Sequence, residues 1–360
     1  MRHSRPEITA ELELALECCR WSFEAGNENR IKSLVSAVDW SLFLRILQFH
    51  RVEGLASTCL VSLATHFPSG VTEILELRAK QIAAANLRRL VEASALHHSF
   101  KEAGIPILFV KGLTLGALAY SNALLKDGWD IDLLVAEQDI GAASAELQKR
   151  GYSMTIPATS DLRAWHQTRK ESVWSRPEER LFVDLHTRLS DNPKLIAGIG
   201  IHSPIRDVDV LPGYPLPTLE KDELAAYLFV HGASSLWFRL KWVTDLAALL
   251  HRLAPEDIQR LYHRSMQLGS GRAAAQGLLH ADDLYGSLDG TGLRPELEVD
   301  RAAHWLADLA IRQVAGNDKL TEPTGKRLGT LPIHIAQLFL LPGIRFKAVE
   351  LVRQAKDAFA

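Results

Sequence analysis

Two carboxylates two positions apart, Asp130 and Asp132, stand in the run Gly128-Trp129-Asp130-Ile131-Asp132-Leu133-Leu134-Val135. On a strand both would project from one face, with Ile131 turned to the other. Two like charges side by side repel, and a cation between them relieves the repulsion. Hard oxygen donors suit Mg2+ or Mn2+. Further along, Glu179-Arg180-Leu181-Phe182-Val183-Asp184-Leu185-His186 alternates so that Phe182, Asp184 and His186 share one face of a second strand. If the two strands are neighbours, Asp184 lies one strand spacing, about 4.8 Å, from the first pair. Three acids so placed could hold two metal ions roughly 3.5–4 Å apart, the clamp used for in-line attack at phosphorus. One ion would activate an acceptor oxygen, and the other would bind a triphosphate and neutralise the leaving pyrophosphate. The competing reading makes Asp130 a turn or strand-end residue and Asp184 half of a surface ion pair. Against it, both acids interrupt apolar runs, where an unpaired carboxylate is costly.

The residues around these acids admit two roles each. His186 could bind metal or orient an acceptor, but a histidine beside an acid is more simply a hydrogen-bonded support behind it. In FRLKWVTDLAALL, Lys241 and Asp245 lie one helical turn apart. Lys241 could reach a triphosphate, with Trp237 or Trp242 against the base. The alternative is an i,i+4 ion pair worth a few tenths of a kcal/mol, roughly, with the tryptophans in the core. A second Asp-x-Asp, Asp207-Val208-Asp209, runs directly into a proline-rich segment and has no glycine turn before it, so no site is expected there. No P-loop, zinc spacing or nucleophile elbow is present.

The elements that must position these residues change character along the chain. Residues 1–104 read as helical, with Asp39 as an N-cap and Gly26 and Gly104 as stops. Residues 105–212 interleave strands and helices: 107–111 (ILFVK), a short helix in GLTLGALAY, 130–135 (DIDLLV), a helix closing on Gly151, and a hairpin turning at Arg176-Pro177-Glu178-Glu179. The segment 211–219, with three prolines and a glycine, reads as a boundary, and residues 213–360 as a second helical domain.

The runs FVKGLTLGALAY, KDGWDIDLLV, VDLHTRL and LFVHGASSLWFRLKWVTDLAALL, with the helical preamble DWSLFLRILQFHRVEGLASTCL, resemble the uncharacterised nucleotidyltransferases of the polymerase-β-like superfamily. The resemblance implies an α+β fold, predominantly helical, with a small mixed-sheet core flanked by helical regions. It implies Asp130 and Asp132 as the metal-binding pair and Asp184 as the third acid. The implied reaction is Mg2+- or Mn2+-dependent transfer of a nucleoside monophosphate from an NTP. Two departures stand out. Where the wider superfamily has a Gly-Ser turn for the β- and γ-phosphates, this chain has Lys111-Gly112-Leu113-Thr114. Gly112 still allows close backbone approach, and Lys111 could serve the triphosphate or pair with a carboxylate at the strand end. Lys126 replaces the arginine common four residues before the first Asp, giving a point charge instead of a bidentate fork. The nucleotide-binding candidates are therefore Lys111, Gly112, Lys126 and Lys241.

Composition narrows the partners. The 360 residues carry 41 Lys+Arg against 43 Asp+Glu, a net charge of −2. This disfavours nucleic acid and favours a small-molecule, peptide or protein acceptor. Phosphoryl transfer or hydrolysis at the same metals, and a non-catalytic nucleotide- or peptide-binding role, are the rival readings. Cys18, Cys19 and Cys59 cannot all pair, which fits a reducing compartment. The charged start lacks the apolar stretch of a secretory signal, and no apolar run nears the roughly 18–20 residues of a bilayer span, so a cytoplasmic protein is expected.

Overall fold

The computed structural model describes residues 8–159, 161–316, 320 and 330–359. The charged start read above as lacking a signal lies, for residues 1–7, outside the described residues. The chain is α+β and predominantly helical, and it divides into two compact units, residues 81–227 and residues 1–80 together with 228–360. Among the described residues, no helix is long and apolar enough to cross a membrane.

The helical unit is built from amphipathic helices with side-chain caps. Thr9 caps Ala10–Arg20 by accepting from the Leu12 N–H, and Asp39 caps Trp40–His50 by accepting from Ser41 and Leu42. Such a cap is worth about 1 kcal/mol. Buried faces of these helices and of Leu240–His251, Arg272–Tyr285 and Arg301–Ala315 contribute Leu14, Phe43, Leu47, Leu246, Leu278 and Leu306. Trp237 is buried against Gly232, where a Cβ would come within 2.5 Å of the indole. Trp237 thus lies in the core, whereas Trp242 is half-buried.

The α/β unit carries the mixed sheet. Its strands are β1 (Leu108–Phe109), β2 (Ile131–Leu134), β3 (Ser153–Ile156), β4 (Glu171–Arg176) and β5 (Leu181–His186), in the order β1-β2-β5-β4-β3. Only the central β2–β5 pair is parallel; β1–β2, β4–β5 and β3–β4 are antiparallel. Helix Ile140–Lys149 and β3 carry the chain out from β2, and the β4–β5 hairpin returns it to β2's side. Ile131, Leu133, Val183 and Leu185 alternate with the acids and point into a core that includes Phe100, Phe109, Leu147 and Trp174. That alternation fixes the register: a slip by one residue would exchange the acids with the core.

Two segments differ from their sequence reading. The strand expected over 107–111 is shorter, Leu108–Phe109 opposite Leu134 and Leu133, with one further bond from the Val110 N–H to the Asp132 carbonyl at 3.3 Å before the chain reaches Lys111. The proline-rich segment 211–219 is not a bare connector. It contributes β7 (Pro215–Leu219), which pairs antiparallel with β6 (Ile205–Asp209). Val210 donates to the Tyr214 carbonyl and Glu220 to that of Pro204, so the ladder bonds of β7 fall on even positions. Pro215 and Pro217 occupy odd positions, where a missing N–H costs no ladder bond.

Candidate active site

The parallel pairing sets Asp132 directly opposite Asp184, and the hairpin sets Glu171 opposite His186. Cross-strand partners share a face, so Asp132, Asp184, His186 and Glu171 project from the same side of the sheet. Among the described residues, Asp132, Asp184 and His186 form the one group of three His, Cys, Asp or Glu side chains able to hold a metal ion, with donor atoms within 4.8 Å of one another.

Charge alternates across this face. Lys111 Nζ is 2.7 Å from Asp132 Oδ1, and His186 Nε2 is 3.1 Å from the same oxygen. His186 Nδ1 lies 3.3 Å from Glu171 Oε2, near enough for charge attraction but without hydrogen-bond alignment. Lys170 Nζ is 2.6 Å from that Glu171 oxygen. Burial works against ionised Asp132, but the Lys111 ammonium and the His186 ring overcome it and hold the carboxyl far below its usual range. Glu171 is likewise opposed by burial and lowered by His186 and Lys170, to about 2. Asp184 behaves oppositely. Burial and the Asp132, Asp130 and Glu171 charges push its carboxyl up to about 8, against the opposing Lys111 charge. The shift arises first from burial and then from the carboxylates gathered around Asp184.

This donor set fits a divalent cation. Asp132 and Asp184 offer hard oxygens suited to Mg2+, and His186 adds a nitrogen that Mn2+ accepts readily. Helix Leu162–Thr168 braces the arrangement. Trp165 Nε1 donates to the Glu171 carbonyl at 2.7 Å, and His166 bonds Thr187 Oγ1 at 3.0 Å and Ser172 Oγ at 3.2 Å. Burial, with His186 and Arg188 nearby, lowers the His166 pKa to about 4, so it braces as a neutral ring.

Asp130 precedes β2, half-buried, and its charge reaches Lys111, Asp184 and Arg89. Gly112 caps helix Leu113–Tyr120 at φ 63°, and a Cβ there would meet the Asp130 carbonyl at 3.9 Å. The space would admit a methyl group, but the positive φ does not suit it. Gly112→Ala is expected to cost about 1 kcal/mol, read as a lowered melting temperature. Lys126 is buried in the loop before Asp130, with its carbonyl held by Asn86 Nδ2 at 2.9 Å. Lys241 belongs to the helical unit, buried on helix Leu240–His251. Asp207 and Asp209, the second Asp-x-Asp, are exposed on β6.

A profile described as uncharacterised nucleotidyltransferase matches residues 36–286. The chain belongs to this nucleotidyltransferase family. Its matched stretch includes every candidate residue of the site, from Lys111 to Lys241. No curated protein matches the sequence. Within the nucleotidyltransferase unit, sequence reasoning overlooked Lys170, Glu171 and the buried Tyr227, whose phenol burial raises to about 12. Glu171 was within reach. A turn joining Arg176 to Leu181 counts back to Glu171 opposite His186. A cavity of about 580 Å³ lined by Arg88, Glu92, Arg176 and Arg180 lies at the other end of that hairpin and includes none of these acids.

Proposed function

We propose that this protein is a cytoplasmic, Mg2+- or Mn2+-dependent nucleotidyltransferase that moves a nucleoside monophosphate from an NTP such as ATP to a small-molecule, peptide or protein acceptor. The observation that carries this reading is the pairing of Asp132 with Asp184 across parallel strands, with His186 beside them, in a nucleotidyltransferase-family chain. Asp130, Asp132 and Asp184 would hold the cation, supported by His186. When bound, the cation supplies charge neutralisation at the phosphates and activation of the acceptor. Lys111 and the Gly112 turn orient the triphosphate, with Lys126 as a further contact. The acceptor heteroatom forms its bond to the α-phosphorus, the bond from α-phosphorus to the β-bridging oxygen breaks, and pyrophosphate leaves. Asp184, in its ionised form, receives the acceptor proton. Catalysis on this account is positioning and charge stabilisation, with no covalent enzyme intermediate.

Incubation with α- and γ-labelled NTP and candidate acceptors tests the reaction type. Label from the α position on the acceptor, with release of pyrophosphate, is the expected result. Label transferred from the γ position would replace this reading with phosphoryl transfer. Biological activity retained by both Asp132→Asn and Asp184→Asn would point to a non-catalytic role.

A further inference from the structure

Lys170 precedes β4, has a largely buried side chain at 20% exposure, and has no part in the reaction described so far. Its position is informative. From Lys111 to Lys170 the polar groups form a series of close approaches: Lys111 Nζ to Asp132 Oδ1 at 2.7 Å, Asp132 Oδ1 to His186 Nε2 at 3.1 Å, His186 Nδ1 to Glu171 Oε2 at 3.3 Å, and Glu171 Oε2 to Lys170 Nζ at 2.6 Å. Each end is an ammonium resting on a carboxylate, with Asp132 buried, Lys111, Lys170 and Glu171 partly buried, and one imidazole between them. The two ammonium groups are close enough for each charge to act on the other. Burial disfavours the charged form of Lys170, and Glu171 and then Asp191 hold it charged.

Holding two partly buried ammonium groups on one face is unfavourable unless anions accompany them. With no ligand bound, Asp132 and Glu171 are those anions. A divalent cation held by Asp132 and Asp184 competes with Lys111 for Asp132 and adds positive charge beside both lysines. An ammonium displaced from Asp132 then needs another anion, of the kind a phosphate chain carries, and Lys170 presents a second ammonium on the same face. We propose that Lys170 is a second phosphoryl-binding residue of this site, held by Glu171 when no ligand is bound and contacting the phosphate chain of the nucleotide when one is. This rests on the nucleotidyltransferase reading and extends it to a residue outside the Asp-x-Asp and Lys-Gly segments.

The test is calorimetric titration of the full chain, in excess Mg2+, with orthophosphate, inorganic tripolyphosphate and each of the four NTPs. The wild type is expected to bind tripolyphosphate at least tenfold tighter than orthophosphate. Lys170→Met should lose most of that difference, while Lys170→Arg keeps tripolyphosphate affinity within threefold of wild type. The double variant Lys170→Met/Glu171→Gln removes both charges, leaves neither partner buried alone, and should show the same loss if the single variant folds poorly. Wild-type tripolyphosphate and NTP affinity in Lys170→Met or in the double variant would overturn the proposal, as would equal loss of binding in Lys170→Arg. If the wild type binds tripolyphosphate through Lys170 but none of the NTPs, the nucleotidyltransferase reading fails and the phosphoryl site stands. If NTPs bind and the variants bind them unchanged, the reverse holds. Failure of the wild type to bind any of these probes overturns both.

Discussion

Asp184→Asn is expected to abolish nucleotidyl transfer while making the cation-free protein more stable at pH 8. The Asp184 carboxyl has its pKa raised from 3.8 to about 8 by burial and by the neighbouring Asp132, Asp130 and Glu171 charges. A carboxyl with a folded pKa above its unfolded value favours folding while protonated, and that advantage drains away as pH rises from about 4 to about 8. Wild-type stability should therefore fall across this window, and the variant, with nothing to ionise, should not follow it. Each pKa unit is worth about 1.4 kcal/mol, and residual solvation of this half-buried group should limit the realised effect to one or two units, about 1.4–2.8 kcal/mol. The gain should vanish near pH 4 and be complete above pH 8, as read by thermal melts at several pH values. Activity should fall by at least the ~10²–10³ that loss of one electrostatic contact typically costs. Asp132→Asn should match the loss of activity but reverse the sign on stability, because it strips Lys111 and His186 of their shared partner. A site built for structure would not make one acid stabilising and its cross-strand neighbour destabilising.

Lys111→Met should be the most destabilising single change in the cation-free site. It leaves Asp132, with a side chain 2% exposed, without its closest counter-charge. Breaking a buried pair from one side costs about 3–5 kcal/mol, because the remaining charge stays desolvated. The Asp132 carboxyl is held below its unfolded pKa in the wild type. The pairing therefore adds stability above about pH 4 and gives it up as pH falls towards the folded pKa. The deficit of the variant should accordingly be full at neutral pH and shrink in acid. Mn2+ should restore Lys111→Met more than it stabilises the wild type, since in the variant the cation no longer displaces an ammonium from Asp132. Ligand linkage gives about 2.7 kcal/mol at a hundredfold excess over Kd, enough to be plain in a melt. Equal stabilisation of both proteins by Mn2+ would mean that Lys111 and the cation do not compete for one carboxylate.

How much was legible in the sequence follows the kind of signal each feature carries. Asp132 and Asp184 could be found because each interrupts an apolar run whose alternation survives in the folded strands. The hairpin could be found from its turn, and with it the face shared by Asp184 and His186. Lys170 and Glu171 were missed because Lys-Glu at a strand entrance is ordinary in composition. Their meaning comes from His186, fifteen residues away in sequence and directly across the ladder from Glu171. The proline-rich strand β7 was misread because proline counts against a strand only where a ladder N–H is needed, and here both proline nitrogens occupy positions that make no ladder bond. The short extent of β1 was equally invisible, since an apolar run does not reveal where its hydrogen-bonding partner ends.

On the proposed function, the face bearing Asp132 and Asp184 takes a divalent cation and an NTP together. Calorimetric titration of each NTP into the wild type, with and without Mg2+ or Mn2+, and into Asp132→Asn and Asp184→Asn, tests it most directly. At least one NTP should bind the wild type at least tenfold tighter when the cation is present, and both variants should lose that dependence. NTP binding that is absent throughout, or that is indifferent to cation and to both substitutions, would contradict it.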